Sequence, residues 1–402
     1  MNSVIIMSPS LSRKGAGVFE VVRQLSVQLV DDDLADVKPI GFIDSHFSKE
    51  RQLWGDVVPL AFPVIGPKKF GYSPELMKYV SKSSANVLHL QALWTYMSLV
   101  SLEWSKYRKR SCIITPNGML EPWALKNSRY KKIAASLFFE RSNLESASCI
   151  QANTAKEYAD IRRLGLSNPI CIVPNGITLP ENNLSQSAEP SFKRLTYVGR
   201  LHPKKGLINF LKGFGAFQNG DLSNSVDKVQ VVVAGLNQIG HLQELIRLTV
   251  ELSLTYRAYD ELPANLPEDL DVVFLGPTYD DSKAVLYSKT SAFFLPSLSE
   301  GQPMAALEAM SFSLPVIMTR MCNLDAAFNA GVALEIELTD ESIIECIRVV
   351  ATMSDSELKE VGSRARDLVE ANYSWPRVSR QIAGVYEWLS DGGTIPDSLE
   401  LK

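Results

Sequence analysis

The sequence predicts an α/β protein made of two Rossmann-like, doubly wound parallel-sheet domains facing each other across a cleft. Three observations lead there. At 402 residues the chain exceeds what one hydrophobic core usually holds, so two domains are expected. Short β-rich runs alternate with amphipathic stretches in both halves, the rhythm of βαβ units. The polar stretch "PENNLSQSAEPSFK" (180–193) breaks that rhythm once, with the composition of a linker.

In the first half the runs are "VIIMS" (4–8), the helix-like "GVFEVVRQLSVQLV" (17–30), "VKPIGFI" (37–43), "VLHLQ" (87–91), "SCIIT" (111–115) and "SCIQAN" (148–153). After the linker the pattern restarts with "RLTYVG" (194–199), a helix from about residue 205, "KVQVVVAG" (228–235), "DVVFLG" (271–276), "SAFFLP" (291–296) and "LPVIMT" (314–319). A boundary near residue 185 follows, giving domains of 1–185 and 186–372. In such sheets ligands bind beyond the carboxyl ends of the strands.

Nearly half the residues are apolar and the formal net charge is -4, so the whole chain has no electrostatic reason to bind nucleic acid. Five scattered cysteines (Cys112, Cys149, Cys171, Cys322, Cys346) with no C-x-x-C pair are the pattern of reduced thiols in cytosol. The N-terminus reads as a first strand rather than a signal peptide, and no run of 18 apolar residues is long enough to span a bilayer.

Some familiar signals are weak. "KGAGVFE" places Gly15 and Gly17 between a strand and a helix, but Glu20 stands where a dinucleotide fingerprint has its third glycine; a tight turn and a backbone approach to ligand both remain open. "DDD" (31–33) and "DLD" (269–271) fit a D-x-D metal pattern but lie at the wrong ends of their elements, as solvated turns would. The four histidines have no zinc spacing, and neither a nucleophile elbow nor a phosphate-binding P-loop is found.

The strongest constellation lies in the second half. In "TYVGRLHPKKGL" (196–207) a strand ends at Gly199 and delivers Arg200 and Lys205 into a strand-to-helix loop, where the pair suits a diphosphate. Gly301 and Pro303 open a helix whose free amides near Met304 and Ala305 would add a positive dipole end. Glu300 precedes that helix and Glu308 rides its second turn, so both can accept hydrogen bonds from hydroxyl groups, such as those of sugars and riboses. Solvated loop charges, or a Glu308 paired with a surface lysine, are the plainer readings of each residue taken alone.

Together, "VGRLHPKKG", "FLG", "PSLSEGQPMAALEAM" and "LPVIMT" resemble the retaining glycosyltransferases of family 4, which have the GT-B fold. "HLQALWTYMS" (89–98), "TPNGMLEPWALKNSRYKK" (115–132), "PICIVPNGI" (169–177) and "YSWPRVSRQIAGVYEWL" (373–389) extend the likeness over almost the whole chain, to the bacterial surface-polysaccharide members. The resemblance implies that Arg200 and Lys205 contact the nucleotide diphosphate, Glu308 holds the ribose, Glu300 the transferred sugar, and Gly15 and Gly17 approach phosphate or acceptor. It also implies that a C-terminal helix, about 373–390, packs back on the first domain. Many relatives have histidine or arginine where this chain has Asn117, followed by Gly118, and His89 is either a second acceptor-side candidate from the same face or a hydrogen-bonded strand-end histidine; Asn can bond a hydroxyl but cannot take its proton.

The expected activity is transfer, with retention, of a hexosyl or N-acetylhexosaminyl group from a UDP-sugar, or alternatively a GDP-sugar. The acceptor implied is a lipid-linked saccharide of lipopolysaccharide O-antigen or exopolysaccharide synthesis. Side-chain cations replace a metal, and no cofactor is implied. The basic, aromatic stretches "WSKYRKR" (104–110) and "KNSRYKKIAASLFF" (126–139) read either as solvated helix faces or as a surface for anionic lipid, placing the protein peripherally at the inner face of the bacterial cytoplasmic membrane. A GT-B epimerase or phosphorylase and a noncatalytic nucleotide-sugar-binding protein are the alternatives.

Overall fold

The computed structural model describes residues 1–126, 129–180, 192–220 and 227–401. The chain divides into two compact units, Met1–Gly176 with Tyr373–Lys402, and Ile177–Asn372. The boundary expected near residue 185 falls within 181–191, outside the described residues.

In the first unit the parallel strands are β1 (Asn2–Ser10), β2 (Ala35–Phe42), β3 (Leu60–Phe62), β4 (Val87–Leu90), β5 (Ser111–Ile114), β6 (Cys149–Ala152) and β7 (Ile170–Ile172). They lie in the order β3-β2-β1-β4-β5-β6-β7, and the short strand Leu399–Glu400 adds antiparallel to β7. The chain works outward from β1 in one direction and then jumps to β4, so the topological switch point lies between them. Burial on both faces explains the near-continuous apolar strands. On β1, Val4 and Ile6 face one core and Ile5 and Met7 the other. The helix Trp375–Asp391 belongs to the first of these cores, through Trp375, Val378, Ile382, Val385 and Tyr386. A Cβ on Gly176 would stand 2.4 Å from the Trp375 ring, which is why the chain has no side chain there.

The second unit holds β8 (Lys193–Val198), β9 (Val229–Ala234), β10 (Tyr256–Tyr259), β11 (Val272–Leu275), β12 (Ala292–Leu295), β13 (Val316–Met318) and β14 (Ala333–Glu335). All are parallel, in the order β10-β11-β9-β8-β12-β13-β14. Its switch point falls between β8 and β12. Phe210 on the helix Leu207–Gln218 stacks on Phe294 of β12 with ring centroids 3.9 Å apart, seating that helix over the same two strands. All five cysteines are buried and free, and no described helix is long and apolar enough to cross a membrane.

Candidate active site

The sequence-predicted residues of the second half converge on the β8/β12 switch point, where the backbone is fastened tightly. Beyond β8, the turn Pro203–Lys205 is capped by His202, whose Nδ1 accepts from the Lys204 amide at 3.1 Å. Gly206 then takes a left-handed conformation (φ 67°), and a Cβ there would sit 1.9 Å from the Pro296 carbonyl oxygen. Only glycine permits this approach. The Leu298 amide donates to the Lys204 carbonyl at 2.9 Å, tying the loop after β12 to the loop after β8.

That tie brings Lys205 onto Glu300. The Lys205 Nζ and the Ser297 hydroxyl both donate to Glu300 Oε1 at 2.5 Å, and the lysine and glutamate side chains are only 14% and 12% exposed. Glu300 is held by its backbone as well, its amide donating to the Met321 carbonyl (2.9 Å) and its carbonyl accepting from Asn323 Nδ2 (2.5 Å). Asn323 is itself left-handed (φ 57°), a conformation Asn tolerates. Thr319 steadies the same loop through its hydroxyl on the Ser297 carbonyl, 2.6 Å.

Glu308 has a similar arrangement. Lys283, at the start of the helix Asp280–Tyr287, donates to Glu308 Oε1 at 2.7 Å. Each glutamate thus engages a lysine through one oxygen, and among the described residues neither Oε2 has a hydrogen-bond donor. A carboxylate oriented by a cation, with an oxygen to spare, is well suited to accept from hydroxyl groups.

Arg200 is exposed, and its backbone is fixed because the Tyr197 hydroxyl donates to its carbonyl at 2.8 Å. Burial pushes the Tyr197 phenol above its ordinary value, the charge of Glu300 adds to the rise, and Arg200 opposes it. His202 is lowered by burial and then by the positive charges of Arg200, Lys204 and Lys205 around it, a sign of how densely cations are gathered here.

The helix after Glu300 runs Met304–Ser311 with Pro303 as its N-cap, and Gly301 lies in the turn before it. One expectation needs correction: the Met304 amide donates to the Gln302 carbonyl at 2.9 Å, so the tight turn before the helix consumes it. The Ala305 amide has no acceptor among the described residues and keeps the dipole end available. Lys283, Ser297, Thr319 and Asn323 were not singled out in the sequence. Ser297, Thr319 and Asn323 are short polar residues beyond strand ends and Lys283 lies on a helix, so their roles are visible only once the strand order is known. Asp271, in one of the D-x-D patterns, accepts from Gln218 Nε2 (2.8 Å), the Thr255 amide (2.8 Å) and the Thr255 hydroxyl (2.7 Å), so it braces a strand entry.

The acceptor-side candidates gather at the carboxyl edge of the first sheet, in a different state. His89 is wholly buried, its Nδ1 2.7 Å from the Tyr386 hydroxyl and its Nε2 2.6 Å from the Thr115 hydroxyl and 2.8 Å from Gln91 Nε2. Burial lowers its pKa to about 3. Of the two readings open in the sequence, the hydrogen-bonded strand-end histidine is the one found, and the ligand-facing one is not: both ring nitrogens are occupied and the imidazole is neutral near pH 7. Asn117 donates to Gln91 Oε1 (2.9 Å) and accepts from Asn153 (3.1 Å), while Thr115 donates to Gln151 Oε1 (2.9 Å). Asn117 and Gly118 are both left-handed (φ 51° and 76°). The buried Glu157 pins that turn by accepting from the Gly118 amide (2.6 Å) and the Asn153 amide (2.8 Å); burial raises its pKa.

At the other side of this switch point, Gly15 caps the helix Ala16–Asp31 with ordinary right-handed dihedrals. A Cβ on Gly15 would meet Phe19 at 3.0 Å and Ser10 at 3.1 Å, whereas one on Gly17 meets nothing within 4 Å. Packing therefore accounts for Gly15, and Gly17 leaves a bare stretch of helix backbone.

Solved structures share the fold: sucrose-phosphate synthase from Thermosynechococcus elongatus superposes with a TM-score of 0.73 at 18% identity, over 98% of this chain and all of that one. The chain has the GT-B fold. Anabaena HepE, solved in complex with UDP and glucose, gives a TM-score of 0.69 at 15% identity, over 96% of this chain and 99% of its own. Residues 181–367, which contain Arg200, Lys205, Glu300 and Glu308, match the family model described as glycosyl transferases group 1. Among curated proteins, the lipopolysaccharide 1,2-N-acetylglucosaminetransferase of Salmonella typhimurium is 24% identical over 226 residues, 53% of this chain and 55% of that one. The chain spans about half the length of the curated relatives it matches.

Proposed function

We propose that the protein is a retaining glycosyltransferase of family 4 type that moves a hexosyl or N-acetylhexosaminyl group from a nucleotide sugar, UDP-linked by preference, to a lipid-linked saccharide in surface-polysaccharide synthesis. The observation that carries this reading is the pair of carboxylates beyond β12, each oriented by a lysine through one oxygen, inside the stretch that matches glycosyl transferases group 1. The UDP and glucose bound to HepE support a uridine donor, and the name of the lipopolysaccharide transferase supports an acceptor in lipopolysaccharide synthesis.

In this reading Arg200, Lys205 and the amide end at Ala305 hold the diphosphate and take up the charge that develops on it as the glycosidic bond breaks, so the chemistry needs no metal. Lys205 is shared between Glu300 and the leaving group. Glu308 accepts from the ribose and Glu300 from the transferred sugar. A double displacement would require a carboxylate nucleophile beside the anomeric carbon; in this reading Glu300, anchored through Oε1 by Lys205 and Ser297, spends its remaining oxygen on a sugar hydroxyl. Retention is then a front-face reaction in which the acceptor hydroxyl enters on the side the diphosphate leaves and gives its proton to a phosphate oxygen. Asn117 contributes hydrogen bonding at the acceptor hydroxyl and no proton transfer.

Calorimetric titration with UDP and GDP, followed by product analysis with the matching nucleotide sugars, tests the reading. Binding of a nucleoside diphosphate and an axial product linkage from an axial donor support it. Absence of binding by both nucleotides, or inversion at the anomeric carbon, would refute it.

A further inference from the structure

The two basic stretches of the first unit look alike in sequence, yet the fold uses them differently. In 104–110, Trp104 is buried, Arg110 lies over its ring at 4.9 Å and donates to the Ser83 carbonyl at 2.5 Å, and Arg108 pairs with Glu103 at 3.5 Å. Those arginines are committed to the protein. The second stretch turns its apolar side chains outward.

There the helix Arg129–Ala135 continues through the π-helical turn Ser136–Glu140. Tyr130, Leu137 and Phe138 are 87%, 81% and 85% exposed, and Ile133 is 46% exposed. Their spacing places all four on one helix face. The face is presented by packing rather than by a loose end. Beneath it the buried Glu140 accepts from the Trp94 amide (2.6 Å) and the Ser98 hydroxyl (2.8 Å), and the Phe139 ring lies 6.2 Å from that of Phe70. Neighbouring large apolar side chains this exposed are unusual on a monomer surface and mark a contact site.

Charge selects the partner. Residues 122–139 contain no aspartate or glutamate, while Lys126 and Lys131 are exposed, and the exposed Lys68 and Lys69 immediately precede Phe70. We propose that this face seats on an anionic phospholipid bilayer, with Leu137 and Phe138 buried at the acyl boundary and the lysines among the head groups. The inference deepens the reading above, resting on its lipid-linked acceptor for the setting, and assigns the membrane contact to residues 130–138 with Lys126, and away from 104–110.

Co-sedimentation of the full chain with vesicles of phosphatidylcholine containing about one third phosphatidylglycerol tests it. Wild type binds these vesicles more tightly than pure phosphatidylcholine, and part of the binding survives high salt because it is apolar. Leu137→Ser with Phe138→Ser lowers the affinity roughly tenfold or more with an unchanged circular dichroism spectrum. Lys126→Gln with Lys131→Gln, which alters only exposed side chains and keeps the test open should the serine pair misfold, lowers it by roughly fivefold per lysine and mainly at low salt. Wild type that ignores the vesicles, variants that bind as wild type does, or a wild-type dimer that the serine pair dissociates would each overturn the proposal. The assay contains no sugar nucleotide, so its failure would leave the transferase reading standing, and failure to bind nucleotide would leave the membrane result intact.

Discussion

The carboxyl edges of the two sheets are both lined with polar side chains, but they are finished in opposite ways. At the second sheet Lys205–Glu300 and Lys283–Glu308 are ion pairs with one carboxylate oxygen to spare, beside the exposed Arg200. At the first sheet His89, Gln91, Thr115, Asn117, Gln151 and Asn153 bond one another, and the neutral His89 titrates far below pH 7. The charged edge can exchange its internal partners for a charged ligand. The neutral edge is already satisfied and serves to fix a shape, which suits presentation of a hydroxyl better than the handling of a leaving diphosphate.

Breaking the charged edge should have the largest consequences. Gly206→Ala forces a Cβ toward the Pro296 carbonyl at a left-handed dihedral, and is expected to destabilise the second unit by roughly 3 kcal/mol or more, measurable by urea denaturation. Lys205→Ala should keep the fold and lower catalytic efficiency by about 2 to 4 kcal/mol, since the lost contact strengthens as the leaving group gains charge. Steady-state kinetics with the nucleotide sugar identified by titration will check it, and a wild-type rate would remove Lys205 from the site.

The neutral edge is sharpened by pH. His89 is lowered in the folded chain to about 3 from an ordinary 6.5, so below pH 6.5 the unfolded chain takes up a proton that the folded chain refuses. The stabilisation from neutral His89 is complete above pH 6.5 and is lost as pH falls toward 3, at roughly 1.4 kcal/mol per pH unit. Glu140 and Glu157, raised by burial, contribute with the opposite sign, favouring the folded state on the acid side of their own titrations. The test is therefore the difference in slope between wild type and His89→Gln over that window, measured by denaturation. Equal slopes would contradict the assignment. The smallest expected effect is that of excess chelator on turnover, which should be nil if, as proposed, Arg200 and Lys205 supply the positive charge; abolition with rescue by magnesium or manganese would reopen a metal role.

The same contrast governs what could be read from the sequence. The alternating apolar runs, the Arg200 and Lys205 loop after a strand, and acids bracketing a Gly-Gln-Pro turn are local patterns, so the strands and the placing of Arg200, Lys205, Glu300 and Glu308 near one sheet edge are legible in the sequence. Lys283 reaches Glu308 only because the helix after β11 crosses beside β12, and Asn323 reaches the Glu300 carbonyl only from beyond β13. The amide network depends on parallel register, His89 opposite Ile113 and Ile114 opposite Ile150, which brings Thr115 to Gln151 and takes His89 into the interior. Nothing local distinguishes that histidine from one at a strand mouth.

The division of labour between Glu300 and Glu308 is the central claim, and calorimetry of the nucleoside diphosphate that binds wild type tests it most directly. Glu308→Gln should weaken that ligand by about 1.5 to 3 kcal/mol, because a hydrogen bond from the ribose to a charged acceptor is lost. Glu300→Gln should leave the nucleoside diphosphate affinity nearly unchanged while depressing turnover of the full nucleotide sugar. Equal weakening of nucleoside diphosphate binding by the two substitutions would contradict the account.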